Sequence, residues 1–356
     1  MNPYDINDKR LKNDFKGMTF SIFKKSDAKK QLLNNLKKGE IESSCYWAAE
    51  HICAGHFMDL WEIIFLYVSK NIHLGNPKIP LYLNMRYEIY NSILEIGYTD
   101  NEFRMRNNSK IRKLFAEMIS IVCLSKRKNP FVVLKVKEED YNISNISYKL
   151  KADTVKYGQS IFMKEDPKEL YIAINELAWA ISSSNRKSNM AYYWIEWVLG
   201  YDSICKKNKK PIQECGRRKV EVNVDYQKDN VWIIWDTLLN EANKKDKSIL
   251  KIIKALKSLY CIKFTPGLKK RRRFLLYYAA SYLTEPLEDV KLIKSDADKK
   301  IIINVTNNIN MVYKEIKKNE IIPSTDYLFN NSFTKGNLEK TISKLEKINS
   351  LIDQKK

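Results

Sequence analysis

The chain has 356 residues, 44% of them hydrophobic, and carries 63 Lys and Arg against 42 Asp and Glu, a formal net charge of +21. That apolar content suffices for a packed core and excludes an intrinsically disordered chain. No apolar run reaches the length of a membrane span, so we expect no membrane partner. The excess positive charge predicts a polyanionic partner, most commonly nucleic acid, with an anionic membrane surface or an acidic protein as alternatives. Compositional bias of an AT-rich genome would explain the abundant Lys better than the Arg clusters.

Cysteine usage indicates where the chain works. The six Cys residues show no dense framework of close pairs, and several lie in apolar helical runs, where a free thiol acts as a small hydrophobe. This pattern is typical of an intracellular, reducing compartment. The stretch 1–16 is polar and charged, so we do not expect it to be a signal peptide.

An internal repeat organises the chain. The stretch 21–30 returns as 160–169 with six of ten positions identical. Further matches follow in the same order, and four ordered matches predict two copies of one helical unit. The further matches pair Tyr46–Trp47 with Tyr193–Trp194, Leu60–Glu62 with Ile234–Asp236, and Arg112–Phe115 with Arg272–Leu275.

Helix signals follow the repeat. The first helix of each copy is predicted to begin at the repeated Asp27 or Asp166, which would act as N-cap, and in the second copy it covers about 167–182. The next helices are predicted over 41–53 and 188–199. Both of these carry the repeated Tyr-Trp pair.

Tryptophan marks the predicted core. A third helix in each copy places its apolar residues at helical spacing around a Trp. A later helix is predicted over 113–124 in the first copy and over 273–283 in the second. Recurrence at helical spacing favours burial of these Trp side chains over stacking on unpaired bases. The predicted core anchors are Trp47, Trp61, Trp194 and Trp235.

Two segments with alternating apolar residues, 131–136 and 220–224, are strand candidates that could pair as a minor β-ribbon. We therefore predict an all-α fold of two tandem, collar-like helical-bundle repeats plus a helical C-terminal tail, with at most that ribbon. The predicted divisions are an N-terminal arm 1–17, a first repeat 18–150, a second repeat 157–290 with a basic insertion 201–230, and a helical tail 291–356.

The tail is predicted to hold two helices. The first covers 299–318 and has its apolar residues on one face. In the second, over 337–352, apolar residues recur at coiled-coil-like spacing. We predict that this final helix binds a protein partner; docking on the protein's own core is the alternative.

Basic clusters are the candidate sites. Five consecutive cations, 269–273, stand at a predicted helix start, where they oppose the helix dipole, and the insertion adds 206–210 and 217–219. An uncompensated cluster of this kind usually contacts phosphate or carboxylate, and we predict phosphate. A nuclear-import signal and a solvated charge run are the alternatives. The candidate nucleic-acid-binding residues are Lys206, Lys207, Lys209, Lys210, Arg217, Arg218, Lys219, Lys269, Lys270, Arg271, Arg272 and Arg273.

Catalytic signatures are missing from the sequence. There is no Gly-rich nucleotide loop, and the three His all lie in the first copy, so neither a nucleotide cradle nor a nucleophilic triad is predicted. His51, Cys53 and His56 form one His/Cys cluster, but the first two point to different helix faces and no fourth ligand follows at suitable spacing. We expect no metal, no cofactor and no enzymatic activity; an unfamiliar enzyme site around this cluster is the alternative.

Residues 38–77 resemble part of a known family. Gly39 precedes an acidic turn, a helix with Tyr46 and Trp47 follows, and a turn with Gly75 and Pro77 closes the next helix. This pattern is similar to the helical C-terminal collar of clamp-loader-type AAA+ ATPases, especially the replication-fork maintenance group. The resemblance implies a bundle that assembles subunits. It does not imply ATP hydrolysis, because it does not extend to the ATPase module.

The whole chain is also similar to an uncharacterised protein family of large DNA viruses, especially those that infect algae, through Asp166–Leu170 and Val231–Asp236. This resemblance implies the host nucleus or a viral factory as the setting, or packaging in the virion. With the charge, it predicts a non-enzymatic nucleic-acid-associated scaffold or adaptor in replication, repair or transcription, with DNA preferred over RNA. The alternative is a structural virion protein, in minor capsid or core, that bridges acidic surfaces.

Overall fold

The computed structural model describes residues 3–8, 10, 12–97, 102–209, 211 and 213–321. This part of the chain is built from α-helices joined by short 3-10 turns and one π-helical turn, which confirms the predicted all-α class. The α-helices are α1 (Lys25–Lys38), α2 (Ile41–Cys53), α3 (Phe57–Tyr67), α4 (Ile79–Glu95), α5 (Ser109–Leu124), α6 (Ile143–Ile146), α7 (Tyr171–Ile181), α8 (Ser188–Lys207), α9 (Val231–Asn243), α10 (Lys247–Cys261), α11 (Arg273–Thr284), α12 (Asp296–Asn308) and α13 (Asn310–Lys317).

The predicted β-ribbon is wrong. No β-strand occurs in the described residues, and the two candidate segments do not pair. Phe131, Leu134 and Val136 pack instead against a helical core, while the second candidate segment ends in the 3-10 turn Val224–Tyr226. Alternation in the first segment therefore reflects an extended chain with one face on helices, which sequence periodicity does not distinguish from a strand.

The helices enclose two hydrophobic cores. The first core is built mainly by α1 to α5 and the second by α7 to α11. Trp61 is fully buried in the first core, and Trp194 and Trp235 are fully buried in the second, which confirms three predicted anchors. Trp47 is half-buried at the edge of the first core.

The two halves use the same order of helix pairings. In the first half α1 packs on α2, and α5 packs on α2 and α4; in the second half α7 packs on α8, and α11 packs on α8 and α10. The matched residues Arg112 and Arg272 are both buried, as are the matched Trp61 and Trp235. These similarities support the duplication, which stays a prediction because helical bundles share such pairings without common descent.

Both ends of the described chain belong to the first core. Ile6 and Phe15, from the predicted arm, are buried there. The predicted helix 299–318 is two helices, α12 and α13, that pack on α5 and α2. Neither segment is therefore detached from the first core. The predicted partner-binding helix 337–352 lies outside the described residues.

Neither repeated Asp caps a helix as predicted. The first residue of α1 is Lys25, two positions before Asp27, and α7 begins at Tyr171 after a separate 3-10 turn. Asp166 instead accepts hydrogen bonds from Arg218 Nη2 at 2.6 Å and from the backbone N–H of Gly216 at 2.9 Å. The sequence signal of a cap was in fact one half of a long-range ion pair.

This ion pair ties the basic insertion to the second core. The side chains of Arg218 and Asp166 are 3% and 0% exposed, and Arg218 Nε also donates to Asp236 at 2.9 Å. Burial raises the pKa of Asp166, but the hydrogen bonds and charge of Arg218, together with hydrogen bonds from the backbone N–H groups of Met163 and Gly216, outweigh burial and hold that pKa below its ordinary value. Stability from this carboxylate is therefore present above the unfolded pKa of about 3.9 and is lost as the pH falls through the lower folded pKa.

We predict that Asp166→Asn lowers the free energy of unfolding at pH 7 by about 3 kcal/mol, because Arg218 keeps its charge in a buried site without its main partner. The loss relative to wild type should shrink below pH 4, since wild type then loses the same pairing. Urea unfolding of wild type and variant at pH 7 and below pH 4 measures the two differences in free energy. Asp225→Asn, at an exposed carboxylate, is the matched control; equal effects of the two substitutions would contradict the assignment.

Candidate functional site

The segment 269–273 joins α10 to α11 and is held by Tyr260. The Tyr260 hydroxyl donates to the Lys269 carbonyl at 3.2 Å, and the Tyr260 carbonyl accepts from Arg272 Nη1 at 2.6 Å. Trp232 and Phe264 pack around the same ring, with centroids 6.0 and 5.6 Å away. The second core therefore fixes the backbone that carries the five consecutive cations.

Lys269 is an internal residue. Its ammonium lies 2.6 Å from Asp202 Oδ2, 3.0 Å from Asp229 Oδ1 and 2.9 Å from the side-chain oxygen of Asn230. Burial lowers the pKa of Lys269, but Asp229 and Asp202 outweigh burial and raise the pKa above its ordinary value. The predicted phosphate contact is therefore wrong for Lys269, whose hydrogen bonds are already made inside the protein.

Arg272 reaches across to the first half. Its side chain is 1% exposed, and Nε donates to Glu62 Oε1 on α3 at 3.0 Å. The guanidinium also donates to the Tyr260 carbonyl, so its hydrogen bonds are made to acceptors inside the protein. The predicted phosphate contact is therefore wrong for Arg272. It is also wrong for Arg218, which is buried and bound to Asp166 and Asp236.

Arg273 is half-buried and also paired. Its Nη1 donates to Glu196 Oε2 at 3.0 Å, and the Tyr277 hydroxyl donates to the other oxygen of the same carboxylate at 3.0 Å. Burial raises the pKa of Glu196, which Arg273 and Tyr277 partly offset. Three of the five consecutive cations thus have carboxylate partners, so the expectation of an uncompensated cluster is wrong.

The other two residues of this segment are exposed. Lys270 donates to Ser203 Oγ on α8 at 2.8 Å, and Arg271 has no ion-pair or hydrogen-bond partner among the described residues. Because its neighbours in the sequence are anchored inward, the short segment presents these two cations to solvent.

The insertion contributes exposed cations as well. Lys206, Lys207 and Lys209 are exposed at and just beyond the end of α8, and Lys207 forms an ion pair with Glu138. Arg217 and Lys219 are exposed on either side of the buried Arg218. Lys210 lies outside the described residues.

A cleft of about 680 Å³ between the two halves collects cations from both, and we call it the basic cleft. Its walls come from α1, α3 and the segment 268–274. Lys25 on one wall is bound to Asp59 at 2.9 Å, and Glu62 is bound to Arg272. The charged residues that line the cleft are Lys25, Lys29, Asp59, Glu62, Lys270, Arg271 and Arg273.

The cleft keeps an unbalanced positive charge. Lys29 on α1 is exposed and, like Arg271 on the opposite wall, has no ion-pair or hydrogen-bond partner in the part of the chain that the structure describes. The positive surface continues along α8, because Lys206 and Lys207 follow Ser203, the partner of Lys270, by about one helical turn. An anion in the cleft therefore meets cations from both halves.

Sequence reasoning missed Lys25, Lys29 and His51 as members of this site. The i, i+4 spacing of the two lysines puts them on one helix face, but nothing in the sequence showed that this face looks across at residues 268–274. His51 was considered as a metal ligand and lies instead, fully buried, against the cleft.

We predict that Lys269→Met lowers the free energy of unfolding by about 3 kcal/mol, because two carboxylates lose their buried cation. Lys270→Met should change it by less than about 0.5 kcal/mol, because the Lys270 side chain is exposed. Urea unfolding of the two variants measures these free energies and so tests whether Lys269 is an internal cation and Lys270 an exposed one. Similar losses for both variants would contradict it.

Other features of the described residues bear on the class of protein. None of their helices combines the length and the apolar character needed to cross a lipid bilayer. No group of three or more His, Cys, Asp and Glu side chains in residues 3–321 as described is arranged to hold a metal ion. The six cysteines are all buried, unpaired thiols.

Comparison with known proteins adds no assignment. The chain matches no model of a known protein family, no curated protein and no solved structure. The resemblances to clamp-loader collars and to a family of large DNA viruses stay predictions, and the function has to be inferred from the geometry of the basic cleft.

Proposed function

We propose that the protein is a non-enzymatic scaffold that binds nucleic acid through the phosphate backbone, with the basic cleft as its central contact. One observation carries this proposal: Lys29 and Arg271, from opposite halves of the molecule, line one cleft and have no carboxylate partner among the described residues. Cations left unpaired in a concave site attract polyanions, because their fields add there.

Phosphate binding by this surface would depend on charge more than on sequence. Lysine and arginine side chains that neutralise phosphates release condensed counterions, which gives affinity that falls steeply with salt. Contacts of this kind position a strand but do not read its bases. The exposed Lys206, Lys207, Lys209, Arg217 and Lys219 would extend the contact beyond the cleft.

The placement of two of the three histidines supports a scaffold rather than an enzyme. His56 Nε2 lies 3.0 and 2.8 Å from the carbonyl oxygens of Phe15 and Met18, and His73 Nε2 lies 2.9 Å from that of Asn129. These are contacts that hold the chain in place. A general base would need a ring nitrogen directed at a nucleophile or substrate.

The two sequence resemblances supply the setting of the proposal. Similarity to a family of large DNA viruses favours DNA over RNA and a role in viral replication, repair or transcription. Similarity to a collar favours assembly of partners without ATP hydrolysis. A virion protein that bridges acidic surfaces would use the same cations, so the binding experiment below also bears on that alternative.

We predict that the double variant Lys29→Gln and Arg271→Gln binds single-stranded and duplex DNA more weakly than wild type. The slope of log K against log salt should become shallower by about 2, roughly one for each phosphate contact removed. Fluorescence anisotropy with labelled DNA over a range of salt concentrations measures both effects.

The matched control is Lys30→Gln with Lys254→Gln, which removes the same charge at exposed positions that do not line the cleft. If wild type shows no salt-dependent binding to DNA or RNA, the proposed function is wrong. If the control variant loses as much affinity as the cleft variant, binding reflects net charge and the cleft is not the site.

A further inference from the structure

A buried imidazole without a hydrogen-bond partner lines the basic cleft. His51 is 0% exposed and lines the cleft with Lys25, Lys29 and Asp59. Neither Nδ1 nor Nε2 has a partner among the described residues, and the neighbouring His56 ring is 6.3 Å away between centroids and already bonded to two carbonyls. Buried polar groups in folded proteins are nearly always paired, so an orphaned imidazole beside a cleft calls for a ligand.

We propose that the part of the cleft lined by His51 binds a phosphate monoester, such as the 5′-phosphate at the end of a nucleic-acid strand. The inference rests on the proposed function for its biological ligand, but it concerns a different chemical group. A backbone phosphate is a diester, whereas a strand end or a nucleotide carries a monoester.

The chemistry of the imidazole favours the monoester. In a neutral imidazole one nitrogen donates a hydrogen bond and the other accepts one. A monoester has a second pKa of about 6, so near neutral pH it is mostly a dianion with three terminal oxygens that accept hydrogen bonds, where a diester has two. The N–H of the neutral ring would donate to one of these oxygens, and the minor monoanion would add a P–OH donor for the other nitrogen. Burial foremost, and the nearby His56, lower the pKa of His51 to about 4, which keeps the ring neutral at pH 7.

The charge of the site also fits a dianion. Lys29 and Arg271 are unpaired, and the two carboxylates on the walls, Asp59 and Glu62, are each bound to a cation of the protein. A monoester brings about one charge more than a diester and would gain more from the same cations.

The shape of the site suits a strand end. His51 is fully buried, so only a group that reaches between the side chains of the cleft could contact it, which a terminal phosphate does more easily than a phosphate within a continuous strand. Leu66, Val133 and Leu268 provide an apolar wall for the attached sugar and base, and the volume is within the range of small-ligand pockets. Because the ring has no water-accessible surface, contact requires movement of side chains that line the cleft, and Lys25 and Lys29 are the long, flexible ones on α1.

The test compares two 3′-labelled single-stranded DNA oligonucleotides that differ only in a 5′-phosphate or a 5′-hydroxyl, with adenosine 5′-monophosphate as competitor. Wild type should bind the phosphorylated strand about tenfold more tightly, as expected for charge-assisted hydrogen bonds to one terminal group. His51→Phe and Lys29→Gln should each reduce this ratio to about twofold or less. Lys30→Gln, one position along the same helix and outside the cleft, should keep it.

His51→Phe retains an aromatic ring and removes the unpaired nitrogens, and circular dichroism with thermal unfolding checks its fold. If that variant does not fold, Lys29→Gln carries the test, because Lys29 is exposed. Equal binding of the two strands by wild type would overturn this inference and leave the proposed function standing. A preference that survives in both variants would also overturn it.

Failure of the proposed function has a different signature. If neither strand binds, the scaffold proposal is wrong, and the monophosphate then decides the inference by itself. Binding of adenosine 5′-monophosphate that is lost in His51→Phe or Lys29→Gln would support a small-ligand site; no binding of it would overturn the inference as well.

Discussion

The ion pair between Arg272 and Glu62 is the contact on which the arrangement of the cleft depends. It joins residues 210 positions apart, one before α11 and one on α3, and the Arg272 side chain is nearly fully buried. A buried pair of this kind adds little net stability, because desolvation of two ions offsets their attraction. It does fix geometry, since removing either partner leaves a charge without compensation. In this protein it holds segment 269–273 against the first half and leaves Lys270 and Arg271 facing solvent.

Ion pairs inside the protein determine which of its many cations stay unpaired and therefore where positive charge is concentrated on the surface. Lys269, Arg272 and Arg218 use up carboxylates from both halves, so these cations stabilise the fold and cannot bind a partner. Lys29, Lys270 and Arg271 remain exposed, and they line the cleft from both halves of the molecule. Surface position, more than the length of a basic run, therefore separates the structural cations of this chain from those that are candidates for binding.

The sequence predicted the position of a side chain best where that residue type is found almost always in one environment, such as the core. Buried Trp61, Trp194 and Trp235 followed from helical spacing, because a large aromatic side chain on an apolar face has few alternatives to the core. The sequence pattern was misleading for residue types that occur in several environments, such as Asp in helix caps and in buried ion pairs. Asp166 has the spacing of an N-cap, but its carboxylate is bound by Arg218, 52 residues later. Long-range pairs of this kind leave no local pattern, and for the same reason neither Lys29 nor His51 could be assigned to the cleft.

The central claim is that a polyanion lies in the cleft between the halves, and lysine labelling with mass spectrometry tests it most directly. The protein would be treated with an amine-reactive reagent in the absence and presence of saturating DNA at low salt. The account predicts that Lys29 and Lys270 lose reactivity on binding, while the exposed Lys30 and Lys254 keep theirs. Protection of all four to the same degree, or unchanged reactivity of Lys29 and Lys270 in a complex that does form, would contradict it.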